Sequence, residues 1–202
     1  TLSLHDALPI LSCDPDLLLC DEPTTALDVT IEAQILELLE ELAEETDTAI
    51  QLITHDLGVI ADICDRVMVM YAGKPVEKAP VEELYYDPKH PYTVGLMSSI
   101  PRLGDTRERL QTIPGTMPDL VDLPPGCSFH PRCPFAEEAC TRKEPPLLDP
   151  ETGEEVSDET APHAAACLEY SGDLTEGLDY EVDVSGTAVA SEVPQAGGDS
   201  ND

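Results

Sequence analysis

A short apolar run that ends in two adjacent carboxylates is the feature that most constrains the fold of this chain. Residues Leu17–Cys20 are apolar, and Asp21 and Glu22 follow them directly. A continuous apolar run of this length predicts a fully buried strand, which is typical of parallel sheets covered on both faces. Because open sheets of this kind bind ligands at the carboxyl ends of their strands, the two carboxylates are predicted to lie at a binding edge.

The chain continues as an alternation of helices and strands. Amphipathic spacing predicts a helix over Thr30–Glu45, and a second apolar run predicts a strand over Ala49–Thr54. A short helix over Leu57–Cys64 and a third strand over Arg66–Tyr71 follow. This order predicts crossovers between parallel strands, and thus an α/β fold with mostly parallel strands. A turn at Gly73 is followed by a predicted returning strand and two helices, over Lys74–Lys78, Pro80–Tyr86 and Tyr92–Ser99.

The strand ends carry the residue types that phosphate chemistry needs. Asp21 is placed to hold a hydrated Mg²⁺ on nucleotide phosphates, and Glu22 is placed to orient and polarise a water molecule. The next strand ends at His55, whose imidazole can donate to a terminal phosphate and hold the attacking water. Each residue alone is better explained as a strand cap or a loop histidine. Their order and spacing together favour a site that combines a metal ligand, a base and a donor.

Three motifs around these residues resemble those of ABC-type ATPases. LLLCDEP resembles the Walker B motif, TALD at Thr25–Asp28 resembles the D-loop, and LITHD at Leu52–Asp56 resembles the switch-histidine motif. The resemblance implies that residues 11–100 are the C-terminal part of a P-loop (ABC-type) ATPase domain, with ATP and Mg²⁺ as cofactors.

The resemblance also implies a role for each motif residue. Asp21 would bind Mg-ATP, Glu22 would be the general base, and His55 would be the γ-phosphate switch. Asp28 would lie at the dimer interface, where two such domains enclose ATP between them.

The motifs that precede Walker B in that family are missing from the 202 residues. There is no G-x-x-x-x-G-K-[ST] phosphate loop, no glutamine loop and no LSGGQ-type signature. Residues 1–10, TLSLHDALPI, read as the translation of a common sequencing adapter, so we expect an artefact there and missing sequence before Leu11. We therefore expect half of each ATP site in this chain, and no ATP hydrolysis by the chain alone.

Further motifs resemble the ATP-binding subunits of oligopeptide/dipeptide importers. They are YYDPKHPYTVGLM, IPGTMPDL and PPGCSFHPRCPFA, and the resemblance runs from about Leu11 to Leu168. It implies a subunit that, when complete, couples ATP hydrolysis to the import of peptides, or of nickel or another small solute. The implied partners are a second ATPase subunit, identical or different, and two membrane permeases at the cytoplasmic face of the membrane. An extracellular solute-binding protein would act with them indirectly.

The charge of the chain bears on the alternatives. Acids number 42 against 10 bases, and the net charge of -32 excludes a nucleic-acid backbone or an anionic lipid surface as the main partner. It speaks against the first alternative, a DNA-maintenance ATPase of the ABC fold. The second alternative, a decayed and non-catalytic remnant, is disfavoured by the intact Glu22 and His55. The acid excess also indicates a protein of a salt-accumulating halophile, because molar salt would screen the self-repulsion.

The proline-rich residues 101–170 are predicted to form a small loop-rich annex that needs a cross-link or a bound metal to be ordered. Its four cysteines follow the spacing C-x5-C-x6-C-x26-C, and we predict that they share one centre: Cys127, Cys133, Cys140 and Cys167. A cytosolic compartment disfavours stable disulfides, so a metal or a cluster is the favoured means of stabilising the annex. Four reduced thiols are the alternative. Zn²⁺ sites usually have shorter spacings. Some relatives in the importer family carry a 4Fe–4S cluster in this annex, so the resemblance favours a cluster over Zn²⁺.

The end of the chain has a different composition. From residue 171 to residue 202 acidic and small residues dominate and no base occurs. Such a segment cannot bury enough apolar area to offset its ordering entropy, so a disordered acidic tail is predicted.

Overall fold

The computed structural model describes residues 15–46, 48–99, 113–156, 162–178, 180–183 and 187–190, the last two ranges by their backbone alone. The predicted adapter residues 1–10 lie outside the described residues, as do residues 100–112 around the predicted start of the annex. The chain forms two compact units, Thr1–Asp65 and Arg66–Asp202.

The first unit contains two strands and two helices. Strand β1 (Leu17–Asp21) and strand β2 (Ala49–Ile53) are parallel, with Leu17 opposite Ala49 and Asp21 opposite Ile53. Helix α1 connects them and helix α2 follows β2, over Val29–Thr46 and Leu57–Ile63. These elements confirm the predicted strand–helix order, and the parallel pairing brings the carboxyl ends of β1 and β2 to the same edge.

Side chains at the two helix starts set where each helix begins. The Oδ1 atom of Asp28 accepts the backbone N–H groups of Thr30 and Ile31, both at 3.0 Å. The Oδ1 atom of Asp56 accepts the N–H of Gly58 at 2.8 Å. Acidic caps of this kind satisfy amide groups that have no partner within the helix.

The two parallel strands are less buried than the sequence predicts. Leu17 is 52% exposed, Leu19 is 63% exposed and Ile53 is 50% exposed, and these exposed positions alternate with half-buried ones. The prediction of fully buried strands is wrong for these residues, because one face of the two-stranded sheet is uncovered.

The second unit is built on an antiparallel hairpin. Strand β3 (Arg66–Tyr71) pairs with β4 (Lys74–Pro80), which pairs in turn with the short β5 (Ala164–Ala165). The hairpin is confirmed, but β3 does not join the predicted parallel sheet; among the described strands only β1 and β2 pair in parallel. The reason lies in the turn, where Ala72 (φ 49°) and Gly73 (φ 79°) both take the left-handed conformation of a tight hairpin.

Two short helices follow the hairpin and the annex packs against it. Helix α3 covers Val81–Tyr86 and helix α4 covers Pro91–Ser98. Phe129 of the annex is 2% exposed and meets Tyr71 of β3 and Tyr92 of α4 edge-on or tilted, at ring-centroid distances of 5.1 and 5.4 Å. The annex therefore shares an aromatic core with the hairpin.

The start of the acidic tail contacts the annex. The partners of residues 171–178 are described below, and the disorder of residues 171–202 stays a prediction. Strands β6 (Tyr180–Asp183) and β7 (Thr187–Ala190) pair antiparallel. Within the described part of the chain, no helix combines the length and the apolarity needed to cross a membrane.

Candidate active site and cysteine cavity

Glu22 adopts a strained backbone conformation directly after β1. Its φ of 45° lies in the left-handed region, which a non-glycine residue occupies at a cost of about 1–3 kcal/mol. Its N–H still donates to the carbonyl oxygen of Ile53 at 2.8 Å, which extends the β1–β2 pairing by one residue. The strain turns the chain at the point where the strand pairing ends, and strained residues of this kind concentrate at functional sites.

Two side chains hold the carboxylate of Glu22. The hydroxyl of Thr25 donates to Oε2 at 2.8 Å, and Nδ1 of His55 lies 3.1 Å from Oε1, where it can donate. The hydrogen bond from Thr25, followed by that from His55, lowers the pKa of Glu22 below its usual value. The carboxylate is therefore ionised at neutral pH, as a general base must be, and it remains open to solvent.

The structure brings two of the four predicted ATP-site residues into contact. Glu22 and His55 are brought together, because β1 and β2 end at the same edge of the sheet. Asp21 is the last residue of β1 and is exposed, so its carboxylate is free of the core at that edge. Asp28 caps α1, and its predicted place at a dimer interface stays a prediction. The contact of Thr25 with Glu22 was not predicted, although the threonine lies in the D-loop-like motif.

The four annex cysteines line one cavity. Cys127, Cys133, Cys140 and Cys167 are all free thiols, and two phenylalanines and several leucines complete the apolar lining. The backbone N–H of Cys127 donates to the carbonyl oxygen of Cys140 at 2.9 Å, which closes the loop between them. Burial raises the pKa values of the Cys133 and Cys167 thiols to about 12, and the neighbouring thiols act in the same direction.

The cavity bears directly on the predicted centre. The four thiols line a common space. Within the described residues, however, no group of three or more His, Cys, Asp or Glu side chains is arranged so that it could hold a metal ion. A metal or cluster at these cysteines therefore stays a proposal.

A buried carboxylate beside the cavity escaped the sequence analysis. Glu77 of β4 is fully buried; it accepts the backbone N–H groups of Lys89 and His90 at 2.6 and 2.8 Å, and it meets Nε2 of His163 at 2.8 Å. The other ring nitrogen of His163 lies 3.3 Å from Glu83. The hydrogen bonds that the Glu77 oxygens accept fix the start of α4, and His163 lies between the carboxyl groups of Glu77 and Glu83.

Comparison with known proteins agrees with the motifs. Residues 76–140 match the family described as "Oligopeptide/dipeptide transporter, C-terminal region". The chain is 60% identical over 130 residues to the oligopeptide transport ATP-binding protein OppD of Haemophilus influenzae, a match that covers 64% of this chain and 40% of that protein. It is 52% identical over 146 residues to the oligopeptide transport ATP-binding protein AppD of Bacillus subtilis, covering 72% of this chain and 44% of that protein.

These matches cover a part of each relative. The chain spans about two-fifths of the length of the relatives it matches. A solved structure, cbiO1 from Clostridium perfringens, described as part of the ABC transporter complex cbiONQ, is 30% identical and covers 43% of this chain and 36% of its own, at a TM-score of 0.38. The relatives are oligopeptide-transport ATP-binding proteins, and residues 76–140 match the C-terminal region of that transporter family, so the DNA-maintenance alternative is not favoured.

Proposed function

We propose that this chain supplies the carboxylate-and-histidine half of an ATP site in the ATP-binding subunit of a peptide importer. The observation that carries the proposal is the contact of Glu22 with His55 and Thr25 at the carboxyl edge of two parallel strands. The similarity to oligopeptide transport ATP-binding proteins supports the same assignment.

Each residue has a defined part in the proposed reaction. Asp21 would hold Mg²⁺, which neutralises phosphate charge when bound; an exposed carboxylate beside a nucleotide suits this hard cation. Glu22, ionised and hydrogen-bonded, would accept a proton from the attacking water. Because Nδ1 of His55 faces Glu22, Nε2 is the ring nitrogen left to face a phosphate oxygen.

The remaining parts of the site would come from other sequence. The 202 residues contain no phosphate-loop lysine and no signature motif, so a second ATPase subunit and an upstream segment are both required. As in an importer, two permeases would hold the subunit at the cytoplasmic face of the membrane, with an extracellular solute-binding protein delivering the peptide. The net charge of -32 supports a function without nucleic acid.

A chimera tests the proposal. Residues 15–178 would replace the aligned part of Haemophilus influenzae OppD, so that the host supplies the preceding motifs. We expect ATP turnover by the chimera and none by the present chain alone. Glu22→Gln should retain nucleotide binding but lower turnover by roughly 10²–10⁴-fold, the usual contribution of a general base.

The control is a second glutamate that lies outside the site. Glu37 is exposed on α1, and Glu37→Gln should leave turnover unchanged. Turnover that persists in the Glu22→Gln chimera would remove Glu22 from the base role. Turnover by the present chain, abolished by the same substitution, would refute the requirement for upstream motifs.

We further propose that the four annex cysteines hold a 4Fe–4S cluster, with Zn²⁺ as the alternative. The shared cavity and the free state of the four thiols support a common centre. A tetrahedral Zn²⁺ would need the sulfur atoms within about 3.8 Å of one another, because each Zn–S bond is about 2.3 Å long. The described side chains are not gathered for a single ion, whereas a cluster occupies a wider space and is bound by four thiolates.

Metal analysis after anaerobic purification distinguishes the two centres. A brown protein with about four irons per chain would support the cluster, and one zinc per chain would support the alternative. Cys127→Ser should abolish either signal, whereas Cys20→Ser, at a thiol of the first unit, should not. Protein that is free of both metals under anaerobic conditions would refute both, and would leave four reduced thiols as the explanation.

A further inference from the structure

The start of the acidic tail crosses the cysteine cavity. Leu174 and Leu178 line it together with the four cysteines, although both leucines follow the last cysteine in sequence. Between these leucines the chain has no regular helix or strand. The apolar side of the tail segment thus completes the wall of the cavity.

Polar contacts from the annex hold this segment in place. Both carboxylate oxygens of Glu137 accept the backbone N–H of Thr175 at 2.9 Å, and Oε1 also accepts the N–H of Glu176 at 2.8 Å. At the start of the segment, Lys143 forms an ion pair with Asp173. A carboxylate that gathers successive amide groups makes charge-assisted hydrogen bonds, which are stronger than neutral ones.

These contacts lie at the surface rather than in the core. The side chains of Lys143 and Asp173 are 53% and 36% exposed, and Glu137 is open to water. Segments held mainly by exposed polar contacts open at a lower free energy than the buried core. The hairpin and the aromatic cluster can therefore stay folded while the tail segment opens.

We infer that residues 173–178 form a lid over the cysteine cavity, latched by Glu137, and that the opening of this lid controls access to the four thiols. The inference concerns the cavity wall and holds whether or not the thiols bind a metal. The hydrogen bonds from residues 175–177 also lower the pKa of Glu137, so the latch is ionised near neutral pH.

Alkylation kinetics test the lid. The whole chain, kept reduced and in the presence of a chelator so that the thiols are unligated, would be treated with N-ethylmaleimide, and mass spectrometry would follow each cysteine. Glu137→Gln leaves one acceptor oxygen where there were two. We expect it to speed alkylation of the four cavity thiols by about fivefold or more, since local opening limits their reaction. Cys20 and Cys64 of the first unit should react as in the wild type.

Two further variants keep the result interpretable. The matched control is Glu138→Gln, because Glu138 is the neighbouring exposed glutamate and pairs with Arg142 instead of the tail. It should leave all rates unchanged. Leu174→Ala combined with Leu178→Ala opens the wall without touching the latch, and it should speed the same four thiols. Unchanged cavity-thiol rates in both Glu137→Gln and the double variant would overturn the lid, and so would an equal rise at Cys20 and Cys64.

Discussion

Replacing Gly126 with alanine should destabilise the second unit far more than the same change at another glycine of similar backbone conformation. Gly126 has a φ of 76°, and an added Cβ would lie 2.3 Å from the carbonyl oxygen of Cys140 and 2.7 Å from the carbonyl carbon of Thr141. Both are backbone atoms, so no side-chain rotation can relieve the overlap. The two backbone segments that carry Cys127 and Cys140 would have to move apart.

The expected cost follows from three contributions. The left-handed conformation costs a non-glycine residue about 1–2 kcal/mol. Moving the carbonyl group breaks the hydrogen bond from Cys127 to Cys140, worth about 1 kcal/mol net, and the remaining overlap adds about 1–2 kcal/mol. We therefore expect Gly126→Ala to lower the free energy of unfolding of this unit by about 3–5 kcal/mol. At Gly73, with a φ of 79° and nothing within 4 Å of the added Cβ, only the first cost of about 1–2 kcal/mol applies.

Tyrosine fluorescence during urea unfolding measures this difference. The chain has no tryptophan, and all six tyrosines lie in the second unit, so the signal follows that unit alone: Tyr71, Tyr85, Tyr86, Tyr92, Tyr170 and Tyr180. Salt and pH would be held constant between variants. Equal losses of stability for Gly126→Ala and Gly73→Ala would show that the close approach to Cys140 does not constrain the fold, and would refute the reasoning.

Four further outcomes are expected. Burial lowers the pKa of His90 from 6.5 to about 4, so the unfolded chain takes up the proton first as the pH falls through this window. The unfolding free energy should then drop by up to about 3 kcal/mol, measured by urea titration at each pH. His90→Asn, whose side chain can still cap the helix, should remove this pH-dependent loss of stability. Glu77→Gln should lower the unfolding free energy by about 2 kcal/mol in the same assay, because it removes one acceptor oxygen from a buried set of hydrogen bonds, and a loss below about 1 kcal/mol would contradict its role. Thr25→Ala should raise the pKa of Glu22 in an NMR titration, and an unchanged value would show that the hydroxyl does not hold the carboxylate. Circular dichroism should show more structure in molar KCl than in dilute buffer, since salt screens the charge of -32; equal spectra would contradict the halophile hypothesis.

Features that depend on local pattern were predictable from the sequence. The periodicity of residues 30–45 defines a helix close to the observed Val29–Thr46, and the parallel strands bring Glu22 and His55 to one edge. In these cases the residues that form the sequence pattern are also the residues that form the predicted element or contact.

Features that depend on distant partners were not predictable. The burial of Glu77 is set by His163, which lies 86 residues further along the chain, and nothing around Glu77 distinguishes it from a solvated glutamate. The pairing of β3 depends on a tight turn rather than on the apolar run itself, which is equally suited to a parallel or an antiparallel neighbour. The contact of Thr175 with Glu137 joins residues that lie 38 positions apart in the chain, and composition alone cannot reveal a partner of that kind.

The cysteine cavity and the start of helix α4 form one structural assembly. His90 caps α4 and lines the cavity, and its ring lies 5.6 Å from that of Phe129, between Cys127 and Cys133 in sequence. Residues 76–140, which match the importer family, include three of the four cysteines, whereas Cys167 follows β5. Because β5 pairs with β4 and His163 contacts Glu77 just before it, residues 162–178 are needed to close the assembly. A chain that ended at residue 140 would leave the buried Glu77 without its imidazole partner and the cavity without its fourth thiol, so the matched region cannot be the complete folding unit here.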